Sequence, residues 1–307
     1  MSVLFSDNFN RADGGLGSNW TNLDAGFTIA SNVVAPTDAG CSAYYNGGTP
    51  AADCWVEIKI PTLPTSTDLV GVGTRLNVST FNGYYVEYGP TNGTRIRRID
   101  AGVATTLASL GSSPSAGQVL RLEIRGSTFS VYIDDVLAGT TTDSNHSAAN
   151  PSAILTSGTS GRLDDFATGN LPTISSATPS GTLGTSTTAT IGCTTDDSSG
   201  TLYVVVDTAS LSGITEDQIK AGQNASSVAA DAAGNSAVSG SSPSVGVTGL
   251  SASTAYNYAI LQFSGGNSNI LTGTFTTAAG GGGGSSAPVL ITGGKIISFN
   301  GKLLRFG

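Results

Sequence analysis

Apolar and polar positions alternate along most of this chain, and no segment sustains a 3.6-residue period over any length. CWVEIKI (54–60), LVGVGTRL (69–76), GYYVEYG (83–89), TRIRRID (94–100), VLRLEIRG (119–126) and TFSVYIDDVLAGT (128–140) read as strands bounded by Gly, Asn, Pro or Ser. RGS (125–127) and the neighbours Asp134 and Asp135 fall where hairpin turns are expected. A second series follows: TATIGCTT (188–195), GTLYVVVDT (200–208), SVGVTGL (244–250), TAYNYAILQFS (254–264) and ILTGTFTTA (270–278). Between them, LPTISSATPSG (171–181) reads as a linker punctuated by Pro172 and Pro179. SGITEDQIKAGQN (212–224) breaks the alternation and predicts a short helix, with Thr215 as N-cap and Glu216 and Asp217 in its first turn. The pattern predicts an all-β protein built as two β-sandwiches in tandem, over 1–170 and 171–279.

The last residues follow a different logic. Residues 280–286 are a Gly/Ser linker with a random-coil reach of about 15 Å. PVLITGG and KIISFNGKLLRFG then give two short strands, and FNGK (299–302) carries the Asn-Gly turn of a hairpin. A lone hairpin is too small to fold by itself, so residues 287–307 are expected to pair with something. Either they add a strand to a partner sheet or they bundle with copies of the same chain. The residues expected to make that anchor are Val289, Ile291, Lys295, Ile297, Phe299, Lys302, Leu304, Arg305 and Phe306.

Composition narrows the function. The chain has 307 residues, enough for two sizeable cores, with only 11% charged residues and 42 glycines. Its net charge of −8 is uneven: −6 over 1–171, −5 over 172–279 and +3 over 280–307. An acidic body argues against nucleic acid and anionic membranes as partners, and no run of 18 apolar residues occurs. MSVLFSDNFNRADGG lacks the basic and apolar regions of a signal peptide, so the expectation is residence in the cytosol or release by lysis. Cys41, Cys54 and Cys193 either include a Cys41–Cys54 pair across a hairpin or are three buried free thiols.

Catalytic sets are missing from the sequence. A retaining glycosidase needs two carboxylates about 5 Å apart, whereas Glu57, Glu87, Glu123 and Glu216 are isolated. On a strand, the adjacent pairs Asp134/Asp135 and Asp164/Asp165 would point to opposite faces. The single histidine, His146, lies in a polar loop and reads as solvated, which removes a Ser-His-Asp triad and any His/Cys zinc site. No cofactor is expected. Calcium is the one alternative, at DSNH (143–146), TDDSSG (195–200) or NLDAG (22–26), each of which also reads as an ordinary Asp/Asn turn. Sugar binding needs aromatic rings beside polar groups, and Tyr44, Tyr45, Tyr84 and Tyr85 are the candidate glycan-binding residues. Trp20 and Trp55 read as core.

DNFNRADGGLGSNW (7–20), LRLEIRGSTFSVYIDDVLAG (120–139) and GRLDDF (161–166) together resemble the concanavalin/laminin-G-like jelly-roll family. That resemblance implies a β-sandwich, a carbohydrate-binding or structural role, and a first strand (LFSDNF) paired beside the last (RLDDF). VTGLSASTAYNYAILQ (247–262), with Leu250 and Tyr256, and GTFTT (273–277) resemble the fibronectin type III family, from which the helical insert departs. The combination resembles virion surface proteins of tailed bacteriophages. It implies a non-enzymatic head decoration, fibre or minor tail protein, made in the host cytoplasm and released by lysis. Its expected partners are capsid or tail proteins, copies of itself and a host surface glycan. A bacterial carbohydrate-binding or adhesin protein is the alternative, and a glycoside hydrolase is the third.

Overall fold

The structure, a computed structural model, describes residues 2–280, 296–299 and 302–305. Two compact units emerge. The first runs to Thr173 and also takes in Phe263–Ser268; the second begins at Ile174.

The first unit carries sixteen strands among the described residues: β1 Ser2–Asp7, β2 Gly14–Gly15, β3 Trp20–Asn22, β4 Phe27–Ala30, β5 Val33–Pro36, β6 Gly40–Tyr45, β7 Cys54–Thr62, β8 Leu69–Asn77, β9 Asn82–Gly89, β10 Gly93–Asp100, β11 Val103–Leu110, β12 Val119–Arg125, β13 Thr128–Ile133, β14 Val136–Thr142, β15 Ala153–Ser157 and β16 Arg162–Asn170. They form a nine-stranded sheet, β14-β13-β12-β7-β16-β5-β4-β2 with β1 also on β16, and a seven-stranded sheet, β11-β10-β9-β8-β15-β6-β3. Alternation gives each sheet one apolar face, and the two apolar faces make one core. Val56, Ile58, Leu120, Leu122, Phe129 and Leu163 come from the first sheet, and Ala43, Val72, Tyr84, Val86, Ile96 and Ile154 from the second. This is an all-β, jelly-roll-like sandwich. β1 pairs antiparallel with β16, Asp7 opposite Phe166, as the resemblance implied.

The DNFNRADGGLGSNW stretch is a clamp. Asp7 accepts from both terminal nitrogens of Arg11 at 2.8 and 3.0 Å and from Trp20 Nε1 at 2.8 Å. Those bonds seat Trp20 against Phe9, Tyr45 and Phe166, and Trp55 is also fully buried. The turn between β13 and β14 is made by Asp134 and Asp135, both at positive φ (47° and 63°). Cys41 and Cys54 stand in different sheets, and all three cysteines are buried free thiols.

The second unit holds β17 Ile174–Thr178, β18 Gly181–Thr182, β19 Thr188–Thr195, β20 Thr201–Asp207, α1 Glu216–Lys220, β21 Ala232–Ala237, β22 Ser244–Thr248, β23 Ala255–Phe263 and β24 Leu271–Thr276. These strands form a three-stranded sheet, β17-β19-β22, and a five-stranded one, β18-β24-β23-β20-β21. The expected linker at 171–181 is corrected here. Ile174–Thr178 pairs with β19, and Ile174 is buried in the core beside Ile191 and Cys193. α1 has Thr215 as N-cap, in a capping box with Gln218. The hydroxyl of Tyr256 accepts the Ser251 N–H at 2.9 Å, closing a corner next to buried Leu250.

Later in the chain, β25 Ile296–Phe299 pairs antiparallel with β26 Lys302–Arg305, Phe299 opposite Lys302. Val289, Ile291, Lys295 and Phe306 lie outside the described residues, as do the side chains of Ile297, Phe299, Lys302, Leu304 and Arg305.

Candidate functional site

The seven-stranded sheet of the first unit has a second face, turned away from the core. Residues opposite one another across a ladder share a face, so the pairing register lists its surface. One row runs Tyr44, Ala153, Gly73, Tyr85, Arg97, Thr106. The adjacent row runs Ser42, Leu155, Gly71, Glu87, Arg95, Ser109. A floor of Gly71, Gly73 and Ala153 therefore separates Tyr44 from Tyr85, across three strand spacings or about 14 Å.

A cleft of about 210 Å³ opens on this face, lined by Leu23, Asp24, Ser42, Phe81, Ile99 and Leu155 around Gly73 and Ala153. It is mostly apolar with a few polar groups at the rim, and its size suits one sugar ring better than a drug-sized ligand of roughly 300–1,000 Å³. Ser42 Oγ donates to Asp24 at 2.8 Å and fixes one rim. The glycines are needed for packing as well as for space. A Cβ on Gly71 would stand 2.3 Å from the Val86 carbonyl oxygen, and one on Gly73 would stand 2.7 Å from that of Tyr84.

Beside the cleft, in the next row of the same face, Glu87 is 1% exposed. Its Oε1 accepts from Arg97 at 2.9 Å and also from Arg95. Arg97 further donates to the Ala104 carbonyl at 3.2 Å and lies over the Tyr85 ring, 5.9 Å from its centroid. Burial, then the Glu87 charge, pushes the Tyr85 phenol up to about 12.

Of the four tyrosines expected to bind glycan, Tyr84 and Tyr85 line the cleft and Tyr44 and Tyr45 do not, while the pairing register divides the four between the two faces. Tyr44 and Tyr85 share the outer face. Tyr45 and Tyr84 point the other way: Tyr45 packs on Trp20 and Phe166, and Tyr84 on Phe129 at 4.4 Å. Tyr84 is 2% exposed and Tyr45 and Tyr85 are 7% exposed each, so the outer-face ring of Tyr85 is largely covered as well. The Tyr84 hydroxyl donates to Asp143 at 2.5 Å and accepts the His146 N–H at 3.0 Å. Burial first, then Asp143, moves its pKa up to about 12. The reading of His146 as solvated is corrected too: its Nε2 lies 2.9 Å from Asp100 and 3.1 Å from the Ile99 carbonyl, and the side chain is mostly covered.

In the candidate calcium loops, Asp143 is taken by Tyr84 and Arg98, and Asp24 by Ser42. Among the described residues no three His, Cys, Asp or Glu side chains gather into a metal set. A second, larger opening of about 550 Å³ on the nine-stranded sheet is lined by Asp7, Glu57 and Asp165. Burial raises the Glu57 carboxyl above its usual range. Asp7, by contrast, belongs to the Trp20 clamp: burial raises its pKa, but the bonds from Arg11, Trp20 and the Phe9 N–H outweigh this and leave it lowered.

Gly73 and Leu155 line the cleft, and Gly71, Arg95, Arg97 and Glu87 stand on the same face beside it; strand assignment alone passes over all six. Their signal is in the sequence: LVGVG places two glycines two apart within a strand, and RIR places two arginines two apart on the next strand but one.

No family model matches the sequence, and no curated protein matches it. Solved structures similar to it include the carbohydrate-binding module CBM66 from Bacillus subtilis, at 15% identity and TM-score 0.43, over 50% of this chain and 96% of that one. A protein of unknown function with a galectin-like fold from Bacillus subtilis is similar at 10% identity and TM-score 0.42, over 55% and 96%. A β-1,3-1,4-glucanase (lichenase) derived from a mouse hindgut metagenome is similar at 9% identity and TM-score 0.38, over 53% and 96%.

Proposed function

We propose that the chain is a non-catalytic carbohydrate-binding protein that holds a saccharide on the outer face of its seven-stranded sheet. The observation that carries this reading is the Gly71/Gly73/Ala153 floor between Tyr44 and Tyr85. Small residues let a flat, polyhydroxylated ring approach the sheet, while the aromatic groups and the polar rim at Ser42 and Asp24 meet it. The non-catalytic part rests on Glu87. Its carboxylate is engaged by two guanidinium groups, which suits a positioning group better than a general acid or nucleophile.

The test is a glycan array probed with the full chain, repeated with Ser42→Trp. Ser42 is half-exposed at the rim, so the indole fills the cleft without entering the core. Specific binding that falls at least tenfold in this variant is the expected result. A flat array, or binding that the indole leaves unchanged, overturns the reading.

A virion role is the second reading, favoured by the antiparallel pairing of Ile296–Phe299 with Lys302–Arg305 after a glycine run. In it, the first unit is the adhesive module and the second a fibronectin type III-like spacer with the Tyr256 corner. Residues 287–307 anchor the chain to capsid or tail proteins or to its own copies. Both readings use the same cleft.

A further inference from the structure

We infer that the saccharide held on this face is anionic, carrying a carboxylate or sulfate that seats against Arg97 and Arg95; this rests on the glycan reading above. The charge balance of the rim is uneven. Two guanidinium groups share a single carboxylate oxygen, Glu87 Oε1, so one positive charge is left over. That surplus stands out in a chain of net charge −8. Arg97 stands beside the cleft on the same face: it is paired with Tyr85, is two residues from Ile99 and donates to the Ala104 carbonyl, and all three of those residues line the opening. Its side chain is 14% exposed and that of Arg95 17%, while Glu87 beneath them is 2% exposed. The two cations are thus mostly covered but lie nearer the solvent than the anion beneath them.

Each guanidinium carries five N–H donors in a planar fork that fits a carboxylate or sulfate. Glu87 and the Ala104 carbonyl take only some of those donors. Glu87 also holds both stems in place before a ligand arrives, so little ordering cost remains for binding. A neutral sugar would leave the surplus charge without a counter-ion, whereas an acidic sugar neutralises it. The sugar ring would lie on the Gly71/Gly73 floor, with its acidic group toward β10.

The test is calorimetric titration of the full chain with polygalacturonate and dextran sulfate as acidic probes, and dextran and laminarin as neutral ones. At least one acidic probe should bind, more weakly as salt is raised, and Arg97→Gln should weaken it on the order of 10- to 100-fold. Arg97→Lys should recover part of the loss. If Arg97→Gln fails to fold, loss of acidic binding in Ser42→Trp together with the salt dependence of the unaltered chain carries the same conclusion. Equal or better binding of neutral probes overturns the anionic assignment and leaves the glycan reading standing. Acidic binding unchanged in both variants overturns the assignment to this rim. Failure of all four probes, with a flat array, removes both.

Discussion

Two sheets in this molecule each have a face that does not meet the main core, and the chain treats the two faces differently. In the second unit, the outer face of the five-stranded sheet carries Val205, Ala259 and Leu261. The insert around α1 covers them with Leu211, Ile214 and Ile219. In the first unit, the outer face of the seven-stranded sheet carries glycine, alanine, two tyrosines and an Arg–Glu–Arg group, and a cleft opens on it. The covered face consists of residues that gain free energy by leaving water. The face with the cleft is built of small, aromatic and charged residues, several of them covered by one another. Which face binds a ligand follows from that choice of side chains, because an uncovered face rich in Val and Leu would aggregate before it bound anything specific.

The largest expected effect separates the faces directly. Ile219→Ala should destabilise the second unit by about 2–5 kcal/mol, because a buried aliphatic is truncated and the lid loosens. Leu155→Ala, half-exposed on the open face, should cost the first unit about 1 kcal/mol or less. Chemical denaturation of the full chain measures both, and equal losses would break the comparison.

A smaller effect is expected at Gly71. An alanine methyl there meets the Val86 carbonyl, so β8 and β9 must move apart, at a cost of about 1–3 kcal/mol together with weaker glycan binding. Unchanged stability would mean that the floor is merely bare and not tightly paired.

The smallest effect is a titration. Tyr84 and Tyr85 both have phenols pushed up to about 12 from an ordinary 10.0. A raised pKa in the folded state means that their contribution is fully present below pH about 10. It is lost as the pH rises toward 12. Absorbance at alkaline pH should show phenols ionising late and the first unit weakening across that window. A bound saccharide should shift Tyr85 and leave Tyr84, on the core side, where it was.

The strands of the main ladders were legible because period-2 alternation bounded by glycine and asparagine survives wherever one face is buried. The strands that escaped notice lack that contrast. β11 is largely exposed on both faces, and β17 is polar after Ile174. The site was half legible for a related reason. Alternation tells that Tyr84 and Tyr85 face opposite ways, but not which one faces the core, since both tyrosine and valine are at home in either place. That sign is set by the register with β8, where Val72 meets Val86 in the core and Gly73 meets Tyr85 outside. His146 was misread because a loop sequence does not reveal that Tyr84, Asp100 and Ile99 wait for it.

The pairing of Ser2–Asp7 with Arg162–Asn170 has a consequence in time. During synthesis the first strand is made long before the only edge that takes it exists. The nine-stranded sheet can close only after residue 170 has left the ribosome, so β1 and Trp20 wait for Phe166, the partner that arrives last. The same seam sets the entry and exit of the first unit side by side. The seam thus makes the start and the end of the sandwich one structural element, and removing either strand should open the sheet at this point.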